Sequence, residues 1–159
     1  MEVLDMYKIA ENEHIDILNY KWTNTKARIF ELDNNYFIGL DNEQIENTNE
    51  EKEILAEELG HYYCNALYYI NSDRETRNKC EYRAIKWAYS VLIPLPKLKE
   101  KIMEGLNLYE LADYFNVDVK YMQNCLMFYV DKYGYIWKEW LIWIKKIIVN
   151  VKIHQEFIL

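Results

Sequence analysis

The stretch from Thr48 to Leu92 constrains the fold most. It carries a helical pattern with one break, Asn71-Ser72-Asp73, and it is stopped by Pro94 and Pro96. Proline removes a backbone donor and restricts the residue before it, so a helix cannot run through that pair. The reading is therefore two long helices, one from Thr48 to about Ile70 and one from about Arg74 to Leu92, folded back on each other. Thr48 followed three residues later by Glu51 fits a capping box, and Glu50, Glu51 and Glu53 suit the positive end of a helix dipole. With 4 glycines and 2 prolines in 159 residues, the chain has too few breakers for a turn-rich all-β fold.

The flanking segments complete an α+β fold with a mainly helical body. Residues 2–12 place Val3, Leu4, Tyr7, Ile9 and Ala10 at roughly helical spacing. Three short β-like runs follow at 15–20, 27–32 and 36–40, and Asp33-Asn34-Asn35 supplies turn chemistry between the last two. These predict a small N-terminal antiparallel sheet with a hairpin at 27–40. Shorter helices are expected at 97–104, 107–115 and 118–131, broken at Gly105 and Asn116. The segment from 132 to 159 is a Trp-rich tail expected to pack on the rest. Trp137, Trp140, Ile144 and Ile147 would form one stripe if 135–148 is helical, with Lys138, Lys145 and Lys146 beside it. A core role is the plainest reading of that stripe; a membrane-surface helix or a docking face are the alternatives.

Charge and cysteine usage narrow the function classes. Nineteen basic against 26 acidic residues give a net charge of -7, which disfavours phosphate neutralisation and hence general nucleic-acid binding. The 105–131 segment has a helix-turn-helix-like pattern, but its single base, Lys120, faces Glu110, Asp113, Asp118 and Asp131. Packing is its better reading, and direct nucleic-acid binding is not expected. Cys64, Cys80 and Cys125 are odd in number with no C-x-x-C spacing, so a reducing cytoplasm is expected. No apolar h-region opens the chain and no run is long enough to span a membrane, so neither a signal peptide nor a transmembrane helix is expected.

The segment that carries chemistry is Ala56-Glu57-Glu58-Leu59-Gly60-His61. On a helix, Glu57 and His61 lie one turn apart on one face, so both can reach one metal ion. Glu58 is turned by about 100° from Glu57, beside that ion instead of on it. This is the logic of H-E-x-x-H zinc enzymes, two ligands at i and i+4 with an intervening glutamate as general base, with Glu57 where the first histidine would stand. A catalytic zinc usually takes three protein ligands, and Glu81 on the next helix is the best third candidate. Its face continues through Ala84, Ala88 and Leu92, and the small alanines would let the two helices approach closely. An ordinary acidic helix face, with His61 paired to a carboxylate, is the alternative.

These segments together resemble the ImmA/IrrE-type metallopeptidases, in a phage or mobile-element branch with an E-E-L-G-H form of the motif. The residues that carry the resemblance are Glu57-Glu58-Leu59-Gly60-His61, then Glu81-Tyr82-Arg83-Ala84-Ile85-Lys86-Trp87-Ala88, then Leu92-Ile93-Pro94, then Leu111-Ala112-Asp113-Tyr114-Phe115-Asn116-Val117. The resemblance covers roughly residues 1–131 and implies a metallopeptidase-like domain there, with a zincin-like body. It implies Zn2+ held by Glu57, His61 and Glu81, with Glu58 as general base. It also implies a protein substrate, a helix-turn-helix repressor of a prophage or mobile element. A catalytically degenerate module that recognises such a partner without cleaving it is the alternative.

Overall fold

The computed structural model describes residues 1–68 and 71–133, and the Trp-rich stripe lies outside the described residues. The chain divides at Leu92 into two units, residues 1–92 and 93–159. The first unit holds α1 (Val3–Asn12), β1 (Ile15–Asn19), β2 (Ala27–Leu32), β3 (Asn35–Leu40), α2 (Thr48–Tyr63) and α3 (Arg74–Leu92). The described part of the second holds α4 (Leu95–Met103), α5 (Leu108–Phe115) and α6 (Val119–Tyr133). The α+β class with a mainly helical body is the one the sequence predicts.

The sheet differs from the expectation in one respect. β2 and β3 form the antiparallel hairpin, turning at Asp33 and Asn34, both with positive φ as a tight two-residue turn requires. β1, however, pairs parallel with β3, so the sheet is mixed and its order is β1-β3-β2. The physical reason lies in the β1–β2 connection, which is too long for a hairpin turn and passes the C-terminal end of β3, so that β3 inserts between the two strands. There the Trp22 backbone N–H donates to Asp41 Oδ2 at 2.9 Å and its indole N–H donates to the Gly39 carbonyl at 2.9 Å. A Cβ on Gly39 would stand 2.9 Å from the Trp22 ring, so glycine makes room for the connection. This order leaves β2 on an edge of the sheet.

Helix α2 differs at both ends. Its N-cap is Asn47, whose side chain accepts from the Glu50 N–H at 2.9 Å, so Thr48 is the first helical residue and the expected Thr48 cap moves back by one. At the other end the helix stops at Tyr63, well short of Ile70. Asn65 takes a left-handed φ of 46°, its N–H bonds to the Tyr62 carbonyl, and the Ala66 N–H bonds to the His61 carbonyl at 2.8 Å. That pair of bonds is a Schellman cap with asparagine in the place glycine usually fills.

Two sets of contacts fix α2. Tyr7 on α1 donates to Glu51 at 2.5 Å, and Tyr62 and Tyr63 donate to Glu13 just past the end of α1. Against α3 the approach is closest at Gly60, where a Cβ would stand 2.5 Å from the Ala84 carbonyl oxygen. Ala84 and Ala88 are fully buried, as expected of small residues on that face. Leu55, Ala56 and Leu59 fill the core with Met6, Ile29 and Ile38.

In the second unit, Asn107 and Glu110 form a capping box at the start of α5, and Asn116, at φ 52°, ends it. The apolar stripe of 105–131 supplies buried Leu108, Leu111, Met122 and Leu126 to the core of this unit. The Tyr129 hydroxyl donates to the Ile93 carbonyl at 3.3 Å.

Candidate metal centre

Glu57, Glu58, His61 and Glu81 line one pocket of about 150 Å³, together with Arg28 and Tyr68 among others. Helix α2 supplies the first three and α3 the fourth, so the close α2–α3 contact at Gly60 sets their separation. His61 Nε2 faces Glu81 Oε2 at 3.7 Å, a charge contact longer than a hydrogen bond.

The imidazole is oriented by the helix cap. His61 Nδ1 lies 3.0 Å from the Ala66 carbonyl oxygen, an acceptor, so Nδ1 carries a proton there and, in the neutral ring, Nε2 holds the lone pair toward the pocket. Ala66 thus bonds His61 twice, through its N–H to the backbone and through its carbonyl to the ring. A carbonyl on one ring nitrogen is the usual way that a metal-binding histidine has its tautomer fixed.

Glu58 is tied to the sheet. Its Oε2 accepts from the Ile29 N–H on β2 at 2.6 Å, a donor left outward because β2 is an edge strand. Glu81 Oε1 accepts from the Tyr68 hydroxyl at 2.5 Å. Tyr68 lies beyond the α2 cap, its ring edge-on to His61 and beneath the Arg28 guanidinium.

Three carboxylates and one imidazole make the pocket acidic. Burial, followed by the charges of Glu58 and Glu81, pushes the Glu57 carboxyl up to about 7, with His61 pulling the other way. Burial also raises Glu58, against the opposing pull of His61, the Ile29 N–H and Arg28. For His61, burial favours the neutral ring, but the Glu81 carboxylate, the Glu58 charge and the Ala66 carbonyl outweigh it and the net shift is upward. Glu81 is lowered, chiefly by His61, with burial opposing and the Tyr68 hydroxyl assisting. Burial and the adjacent Glu81 carboxylate push the Tyr68 phenol up to about 12.

The donor types fit a divalent cation: crowded carboxylates whose mutual repulsion a cation would relieve, and an imidazole with its Nε2 left open. Among the described residues, no group of three or more donors is drawn together closely enough to hold an ion as placed. Glu57 stands one turn before His61 on the same face of α2.

The structure therefore brings the four sequence-predicted residues into one pocket. Ala66, Tyr68, Arg28 and Ile29 were not foreseen. Asn65 was the available signal for the cap that places the first two. Cys64 and Cys80 lie near this pocket in sequence; the Cys64 thiol donates to the Arg83 carbonyl at 3.4 Å, Cys80 is buried, and both are free. No helix among the described residues is long and apolar enough to cross a membrane.

A family model described as Peptidase_M78, the IrrE N-terminal-like domain, matches residues 10–127. Comparison with curated proteins and with solved structures finds no match.

Proposed function

The chain belongs to the Peptidase_M78 family of IrrE N-terminal-like domains, and we propose that it is a zinc-dependent endopeptidase acting on a protein substrate. The observation that carries the proposal is His61, with Nδ1 held by the Ala66 carbonyl and Nε2 facing Glu81 in a pocket that Glu57 and Glu58 also line. Glu57, His61 and Glu81 would hold the ion. The chemistry zinc supplies at such a site is Lewis acidity toward the scissile carbonyl and a lowered pKa for water.

The remaining work falls to the chain's own residues. Glu58, lifted by burial, is suited to take a proton from the attacking water and pass it to the leaving amine. Its bond to the Ile29 N–H holds one carboxylate oxygen and leaves the other for that transfer.

For the substrate we propose a helix-turn-helix repressor of a prophage or mobile element, supported by the family resemblance of the motif segments. A cytoplasmic setting is supported by the three free cysteines. One observation favours a second reading, a binding module that recognises such a partner without hydrolysis: a carboxylate, Glu57, stands where the motif calls for histidine, in a pocket that already holds two others. The test is Glu58→Gln. It should leave zinc binding intact and abolish cleavage of a repressor substrate; cleavage surviving at the native rate would remove Glu58 from the reaction.

A further inference from the structure

Tyr68 lines the pocket without a role in the proposed reaction, and it contacts both Glu81 and His61. Its hydroxyl donates to Glu81 Oε1 at 2.5 Å, in the range of a strong charge-assisted O–H···O⁻ bond. The other oxygen of the same carboxylate, Oε2, faces His61 Nε2 at 3.7 Å. The two oxygens of Glu81 are thus divided, one to the phenol and one to the imidazole.

That division matters because Glu81 has little else to hold it. Its side chain is 41% exposed, whereas that of His61 is 9% exposed, so an untethered Glu81 would turn readily toward solvent. The phenol is itself well held. Its ring packs edge-on to His61, with centroids 5.8 Å apart and planes at 67°, and the Arg28 guanidinium lies over it at 5.9 Å. Arg28 belongs to β2 and His61 to α2, so sheet and helix together aim the hydroxyl at α3.

We propose that Tyr68 is a positioning residue that ties down Oε1 of Glu81 and so presents Oε2 toward His61 as a single-oxygen metal ligand. This inference rests on the proposed metal-binding role of Glu57, His61 and Glu81. Outer partners of metal ligands commonly govern affinity by about 10- to 100-fold. Tyr68→Phe removes the tether and keeps the ring that Arg28 and His61 pack against.

The test is zinc affinity of the full chain, measured with the metal ion alone against a chromophoric chelator, for wild type, Tyr68→Phe, Glu81→Gln and the double variant, with thermal melts alongside. Tyr68→Phe should bind zinc about 10- to 100-fold more weakly while melting as the wild type does. In the Glu81→Gln background the same substitution should change affinity little, because its effect runs through the carboxylate. Tyr68→Phe binding as tightly as a zinc-binding wild type would overturn the proposal alone, as would an equal loss in both backgrounds. A wild type that binds no zinc would overturn both this proposal and the metal site it rests on.

Discussion

Gly60→Ala tests the contact on which the site is built. A Cβ there would stand 2.5 Å from the Ala84 carbonyl oxygen and 3.0 Å from the Ala84 carbonyl carbon and Cα. Ordinary carbon–oxygen and carbon–carbon contacts are about 3.3–3.6 and 3.5–4.0 Å. The obstruction is backbone, which no rotamer change moves aside, so α3 must retreat from α2 by about 1 Å. Overpacking of this kind costs about 1–3 kcal/mol. Alanine returns about 1 kcal/mol in helix propensity. With a rigid obstruction the steric cost sits at its upper end, leaving a net loss of about 2 kcal/mol. The assay is urea or thermal unfolding followed by far-ultraviolet circular dichroism, with zinc affinity measured in parallel. Affinity should fall too, because the same retreat separates His61 from Glu81. A variant more stable than wild type, as an open helical glycine would give, would refute the close approach.

Two other outcomes follow from the charges in the pocket. Glu57 titrates at about 7 in the fold against an ordinary 4.5, so the native state holds its proton longer than the unfolded chain does. In chelator-containing buffer, its contribution to stability should therefore fall as pH rises from 4.5 to 7 and stay low above that. The shift corresponds to about 3 kcal/mol, and because Glu57 titrates together with Glu58, Glu81 and His61 the expected effect is about 1–2 kcal/mol. Glu57→Gln should then exceed wild type in stability above pH 7 by that margin and match it near pH 4; denaturant midpoints across pH check this, and a constant difference would contradict it. Glu57→His separates the two functional readings. If the native site already works, cleavage should change by less than about tenfold (about 1.4 kcal/mol in barrier); a sharp rise in the rate assay would favour the binding module.

Much of this architecture is local and hence legible in sequence. Pro94 and Pro96 mark the end of α3, Asp33-Asn34 mark the hairpin, and Asn107 with Glu110 mark the start of α5. Spacing alone put Glu57, Glu58 and His61 on neighbouring helical positions, and the alanine face of α3 foretold the close packing that brings Glu81 to them. What was missed depends on competition or on tertiary placement. Thr48 and Asn47 can both cap a helix, and only the backbone decides between them. Asn65 can sit within a helix or end one, and the apolar pattern running on to Ile70 hid its left-handed turn. The parallel pairing of β1 has no local signal, since it depends on how the connection carrying Trp22 passes Gly39. Tyr68 and Ile29 reach the pocket from a loop and a sheet edge, so no periodicity could assign them to it.

The proposed reaction depends on a metal ion held by Glu57, His61 and Glu81. Its most direct test is metal content per chain by mass spectrometry, on protein purified without chelators, beside a His61→Ala control. Near one zinc per wild-type chain is expected, and almost none in the control. No metal in the wild type, with none retained after zinc is added back, would contradict it.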